Sequence, residues 1–433
     1  MQTENKTATQ KRVLYEEFKI LLAICLLFAA SAFVFDRPVD IIAGLGRIFT
    51  SRGLLRTDYM ITGGIGAALL NASLVGLYSL ALIYFSGAKP AGGTLMSFWM
   101  GIGWSCWGMN VFSIFPLSLG VWLYARLKKQ PFSNFMVAAI LAGTIAPIVS
   151  CFYFTNPIML HLGASWSLPV NILCGVVIGI ICGFLLPIIS AAATRMHDGY
   201  TLFNMGVTGG MIATFLAAIL KAFGVEVSGG SDWYTGSNGP LAVFLFVISG
   251  VVLLTGVFLG SKRRTNHSAN FKKMYAESGH APNDFYTNYG PTAYINMGLM
   301  GMFGTTVVLA LKADLNGATF ACIFSMVAFG GLGEHLKNVI PTVAGAIICA
   351  YLNTTGLTAP GNILPILFSA CLAPIGGQFG FGWGMVTGFM HVLTILHIGG
   401  LTSGFNIYNN GFASGFVAFF LVPIIVALKK EKA

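Results

Sequence analysis

The sequence predicts an all-α integral membrane protein of about 14 apolar segments, built as two inverted-topology repeats of about six segments with an N-terminal span and a linking span. Three observations lead there. The composition is 56% hydrophobic and only 9% charged, outside the usual range of soluble domains and inside that of multi-span proteins. One Asn/Gly pattern occurs four times, near the start and the end of each half of the chain. The 24 Lys and Arg residues sit in short blocks between apolar runs, so the net charge of +10 reads as a topology signal and not as a nucleic-acid surface.

The pattern is clearest as Phe203-Asn204-Met205-Gly206-Val207-Thr208-Gly209-Gly210 and as Tyr294-Ile295-Asn296-Met297-Gly298-Leu299-Met300-Gly301. Looser copies surround Asn71 and Asn409. A shift of 225 residues (296 − 71) superposes Asn71 on Asn296 and also Thr94 on Thr319, Gly108 on Gly333, Pro116 on Pro341 and Gly120 on Gly345. Toward the ends of the halves the shift becomes 205 (409 − 204), which pairs Gly179 with Gly384, Gly199 with Gly404 and Gly206 with Gly411. The difference marks an insertion in the first half, near Cys151 to Asn171.

Residues 1–59 comprise a polar tail, a first apolar run from about Ile20 to Phe35, and an amphipathic segment carrying Arg37, Arg47, Arg52 and Arg56 that suits a membrane surface. Ala30-Ser31-Ala32 resembles a leader-cleavage site; an uncleaved first span is expected, because a multi-span protein needs no leader. Repeat 1 occupies 60–223, with apolar runs of roughly 16 to 26 residues at membrane-helix scale. An outer loop, a linking span and a basic loop with Lys262-Arg263-Arg264 and Lys272-Lys273 fill 224–290. Repeat 2 and a basic tail occupy 291–433.

Placing the basic loop in the cytoplasm and counting each run as one crossing puts both termini in the cytoplasm and leaves four outer loops without Lys or Arg. On that count the second repeat starts on the opposite side from the first, hence inverted repeats in a cytoplasmic membrane. The short runs 93–108 and 317–333 are the weak point, and if they re-enter, the parity changes.

Mid-span Gly weakens a helix, and an Asn side chain can bond a freed backbone group, so the four motifs mark expected helix breaks. Such breaks endure at membrane depth only when buried in protein or lining a watery cavity. Asn71, Asn204, Asn296 and Asn409 are therefore candidate substrate-binding residues, with Gly206 and Gly411 as backbone-access positions. The competing reading is that they make only helix-packing contacts. Glu334, His335 and His391 are candidate proton-coupling groups, against a solvated turn for the first two and a carbonyl-bonded core histidine for the third. Glu334 and His335 face Met109 and Asn110 in the first half, so that feature is one-sided.

No phosphate-binding loop, HExxH or GxSxG motif is present, and the eight Cys lie singly in apolar stretches. No cofactor, metal, disulfide or nucleic-acid partner is expected. The expected partners are the lipid bilayer and a small-molecule solute, with a homo-oligomer left open.

Over its whole length the chain resembles a bacterial family of multi-pass membrane proteins catalogued only as a domain of unknown function, carried by the duplicated Asn/Gly pattern including Tyr408-Asn409-Asn410-Gly411. That resemblance implies no substrate. The aromatic-Asn-Gly segments are also similar to those in the duplicated halves of urea-transporter-type channels, which implies a small neutral polar solute. The expected function is a transporter or channel for a small polar solute through a pseudo-symmetric central pathway, not an enzyme. The alternatives are a membrane-embedded enzyme using Glu334, His335 or His391, and a non-transporting sensor or assembly partner.

Overall fold

The computed structural model describes residues 2–54, 57–163, 167–227, 232–281 and 283–430; Arg56 and Trp166 lie outside them. The described residues are helical with no named strand, and one isolated bridge joins Thr57 to Asp232. Ahead of the first repeat stand α1 (Gln2–Phe35) and the surface helix α2 (Pro38–Phe49), which buries Ile41, Gly44 and Ile48 on one face. The first repeat comprises α3 (Ile65–Ser86), α4 (Gly92–Trp104), α5 (Val111–Leu127), α6 (Met136–Phe154), α7 (Leu168–His197) and α8 (Asn204–Ala222). The linking helix is α9 (Asn238–Arg263). The second repeat comprises α10 (Pro291–Ala310), α11 (Gly317–Phe329), α12 (Leu336–Leu352), α13 (Pro360–Phe379), α14 (Phe381–Thr402) and α15 (Asn409–Lys430).

Ten of these helices are long and apolar enough to cross a membrane, fewer than the fourteen crossings expected. The shortfall is confined to α4 and α11, of 13 residues each, and α5 and α12, of 17 each. The cause is local. Gly108 and Gly333 adopt φ of 93° and 111°, a region open to Gly and costly for other residues, and turn the chain between the short helices. Asn110 and His335 then cap α5 and α12 by accepting from backbone N–H groups.

The two repeats embrace rather than stand side by side. Asp284 accepts from Gly92 N at 3.0 and 2.9 Å, capping α4 of the other repeat, while Asp58 accepts from Gly317 N at 3.3 Å through both oxygens, capping α11. A Cβ on Gly92 would meet the Gly331 carbonyl just past the end of α11, and one on Gly317 would meet the Cys106 carbonyl just past the end of α4. The pair therefore lies head to tail. The repeat mates Trp99 and Phe324 stack between them at 5.7 Å.

The contact between α8 and α15 is reciprocal as well. A Cβ on Gly206 would come within 2.7 Å of the Gly411 Cα, and one on Gly411 equally close to the Gly206 Cα. Each glycine thus meets its own repeat mate on a shared central axis. Small residues there let the two backbones touch. Midway along α1, Glu17 is buried and accepts from the Tyr286 and Tyr294 hydroxyls, with Arg263 Nη2 at 3.7 Å, which ties the first span to the second half.

Because the Gly206–Gly411 contact has no room for side chains, Gly206→Ala and Gly411→Ala should each lower the thermal stability of the detergent-purified protein, by about 1–3 kcal/mol of overpacking. The double variant should cost less than the sum, since both methyl groups strain one contact. A fully additive double-mutant cycle would show that the two glycines act separately.

Candidate functional site

The centre of the molecule is set by two prolines. Pro147 and Pro374 carry no N–H and crowd the carbonyl four residues back, which disfavours a continuous α-helix at these points. Both α6 and α13 break just upstream, into 3-10 segments at Ala142–Ile145 and Ser369–Leu372. In the 3-10 register the donors to the Thr144 and Cys371 carbonyls would be Pro147 and Pro374, which have no N–H, so these carbonyls are left for other donors. Ile407 N donates to Thr144 O at 2.9 Å, and Leu202 N donates to Cys371 O at 3.0 Å. Leu202 belongs to the first repeat and Ile407 to the second, so each broken helix is completed by a non-helical strip of the other repeat.

Those strips, 198–203 and 403–408, lead into the first turns of α8 and α15. Their own turns match. Phe203 N donates to Thr201 Oγ1 at 3.2 Å, and Tyr408 N donates to Asn406 Oδ1 at 3.1 Å. Thr144 Oγ1 donates to Asn406 Oδ1 at 2.6 Å, and Asn406 Nδ2 donates to the Gly206 carbonyl at 3.2 Å. On the other side Thr201 Oγ1 shares a 2.8 Å bond with Ser414 Oγ, which donates to the Gly411 carbonyl.

Four aromatic rings close the axis. Trp104 meets Tyr408 at 4.8 Å, their repeat mates Phe329 and Phe203 meet at 4.9 Å, and Phe203 meets Tyr408 at 4.4 Å. All four are buried. Offset and edge contacts at these separations stabilise beyond area burial alone. The polar atoms in this layer are unmatched, since Tyr408 OH and Trp104 Nε1 have no partner among the described residues. Glu334 is wholly buried, and both of its carboxylate oxygens lack a partner. It is thus not in a solvated turn. A charge without partners in such a place is costly, about 2.5–3.5 kcal/mol even on lenient insertion scales.

A family model described as protein of unknown function, DUF1576, matches residues 37–222 and 263–427. The chain belongs to this family. The two matched stretches follow the two halves and bracket most of the linking helix α9, and every residue of the DUF1576 axis named above falls within them. No curated protein and no solved structure matches, so the comparisons lend nothing to the likeness with urea-transporter-type channels.

Within this DUF1576 fold the four motif asparagines divide into two pairs. Asn71 Nδ2 donates to the carbonyls of Ser105 and Met109 at 2.7 and 2.9 Å, and Asn296 Nδ2 donates to those of Gly330 and Glu334, both at 2.7 Å. Each holds the turn after α4 or α11, and each leaves its own Oδ1 buried without a partner. Asn204 instead bonds His197 Nε2 at 3.0 Å through Oδ1 and Ser190 Oγ at 2.8 Å through Nδ2. Asn409 accepts from Thr402 Oγ1 at 3.0 Å and donates to Gly399 O at 3.1 Å, so it anchors α15 to the end of α14 as Asn204 anchors α8 to the end of α7. Gly206 and Gly411 face each other.

The candidate proton carriers do not converge. Asn338 N donates to His335 Nδ1 at 3.2 Å, which assigns the single ring proton to Nε2, where Glu277 O accepts at 3.1 Å. Tyr275 stacks on this ring at 4.7 Å, and burial pushes the imidazole down to about 4. His391 Nε2 lies 3.1 Å from Asn410 Oδ1, in the interior. Neither histidine reaches the Glu334 carboxylate. Sequence reasoning missed the cross-capping pair Asp58 and Asp284, the two prolines, and the aromatic layer. Extending the internal alignment by a residue or two would have found the first four, since 284 − 58 is 226 and 374 − 147 is 227.

Replacing Asn71 or Asn296 by Ala should destabilise the protein in chemical unfolding, by about 1–3 kcal/mol for each buried carbonyl left unmatched. Near-equal losses are expected from the two, because their bonds match. The Asp58 carboxyl, in the turn before α3, is pushed up to about 6 by burial, against the Tyr234, Met60 and Gly317 N–H groups that pull it down. The folded protein then binds more protons at that site than the unfolded chain between about pH 4 and 6, so stability should fall as pH rises through this window, by at most about 1.4 kcal/mol per unit, and level off above it. Unfolding curves of Asp58→Asn against pH should lack that slope; an unchanged slope would remove Asp58 as its source.

Proposed function

We propose that the protein is a transporter of a small polar solute, working by inverted repeats that rearrange about the two-fold axis. The observation that carries this reading is the pair of broken helices α6 and α13, each completed at its break by the other repeat through Ile407 N–Thr144 O and Leu202 N–Cys371 O. Broken helices that meet across a repeat axis are how many secondary transporters build a site near the midplane. The head-to-tail setting of α4 and α11 supports inversion of the halves. With the charged loop 261–281 on the cytoplasmic side, the turn after α4, held against Asp58 and Gly53, belongs outside, and the turn after α11, held against Gly279, belongs inside.

The aromatic layer of Trp104, Phe203, Phe329 and Tyr408 is the barrier of this conformation. Hydroxyls and amides flank it from Thr144, Thr201, Asn406 and Ser414, with few fixed charges, which suits a neutral or weakly ionised solute. The embedded-enzyme reading needs an acid and a base in one place, and Glu334, His335 and His391 stand apart.

The test is stopped-flow light scattering on proteoliposomes challenged with small amides, polyols, amines and carboxylic acids. Wild type should pass at least one class, and the folded double variant Phe203→Ala/Tyr408→Ala should pass it roughly tenfold faster, as expected if about 1.4 kcal/mol of closure is removed. No flux for any class in either protein would overturn the reading.

A further inference from the structure

Internal duplication supplies a control for every residue, and it isolates Glu334. The turns that carry Met109 and Glu334 match in detail, with Gly108 and Gly333 at positive φ just before them and Asn71 and Asn296 bonded to their carbonyls. Met109 is what this place takes on one side of the molecule. Its thioether lies over Gly143, in the 3-10 break of α6, where no larger residue would fit beside it. On the other side the same kind of slot receives a carboxyl. Glu334 is of similar length to Met, it is wholly buried, and neither oxygen has a donor.

The groups around it are nearly all neutral. Tyr408 of α15 and Cys371 of the α13 break lie within electrostatic reach of its carboxylate, and Cys322 of α11 lies within that of Tyr408. Asn296 of α10 presents its amide nitrogen to the Glu334 carbonyl and leaves its Oδ1 unmatched. The nearest cation in sequence, Lys337 of α12, turns to the Tyr275 carbonyl at 3.2 Å. His335 is occupied as described, and Glu277 of the preceding loop accepts from Tyr289 OH at 2.9 Å. A carboxylate needs donors or a cation, whereas a carboxylic acid fits a site suited to a thioether. A metal cation would ask for a shell of several oxygens, and a thiol and aromatic rings are poor ligands for a hard ion.

We infer that Glu334 is a proton-binding site, neutral in the closed conformation and able to release its proton only when rearrangement about the axis exposes it. The proton comes from water on one side and leaves to water on the other, with no other group changed. This rests on the transport reading above and makes that transport proton-coupled.

Two measurements test it. In the infrared spectrum of the reconstituted protein at neutral pH, a protonated-carboxyl C=O band should be present and should vanish in Glu334→Gln and in Glu334→Met, the latter restoring the residue of the other repeat and expected to fold. A band that survives both variants, no such band in wild type, or a Glu334-dependent stabilisation by Na⁺ would overturn the proposal. In proteoliposomes, solute flux through wild type should drive proton movement and fall about tenfold per pH unit above the titration point of the site, while Glu334→Gln gives pH-independent flux without proton movement. Proton-coupled flux left intact in Glu334→Gln overturns the proposal and leaves transport standing. A Glu334-dependent band in a protein that passes no solute upholds the proton site and removes the transport reading.

Discussion

The structure depends on how a backbone interrupted at membrane depth is satisfied. A proline in α6 and another in α13 strand carbonyls in the buried interior, where an unpaired carbonyl is costly. The molecule solves this by exchange. Ile407 of the second repeat serves Thr144 of the first, and Leu202 of the first serves Cys371 of the second. Neither repeat closes its own break. The same exchange recurs at the ends of α4 and α11, where Asp284 and Asp58 each cap the core helix of the other half.

This mutual completion explains why the centre is both polar in backbone and sealed in side chains. The strips 198–203 and 403–408 must reach the breaks to bond them, which brings Phe203 and Tyr408 onto the axis. The short helices α4 and α11 must lie head to tail to be capped, which sets Trp104 against Tyr408 and Phe329 against Phe203. Four rings then pack where four backbone strands converge.

Much of this was legible in the sequence, and the reasons for the rest are physical. The segments were visible because apolar length is set by the bilayer, and the duplication because Asn71, Asn204, Gly206 and their mates recur at fixed shifts. About fourteen apolar segments were expected, and ten of the helices reach crossing length; α4, α11, α5 and α12 are shorter, and α4 and α11 are almost wholly buried, so that protein surrounds them. The chemistry of the four asparagines was less legible. Hydropathy and spacing mark a residue that interrupts a helix but do not say which carbonyl it answers. Asn71 and Asn296 turn out to answer a neighbouring turn across more than thirty residues, and Asn204 and Asn409 to answer the helix before them. The aromatic layer was hidden because Trp104 meets Tyr408, and Phe203 meets Phe329 and Tyr408, only after the two halves are brought face to face.

Departures from the internal symmetry are then the places to look for what the protein does, because packing alone would be served by the same residue twice. Asn406 stands where its mate is Thr201, and one bonds the Gly206 carbonyl directly while the other reaches the Gly411 carbonyl through Ser414. His197 stands where its mate is Thr402, and both answer the motif asparagine. In these pairs two different side chains perform one structural task, so the asymmetry is absorbed. Glu334 against Met109 is different in kind. The backbone around them is alike, yet a titratable group replaces an inert one and gains no bond by doing so. A titratable group in a buried place that holds a thioether in the other half, with no donor for either oxygen, is an asymmetry that the packing does not absorb.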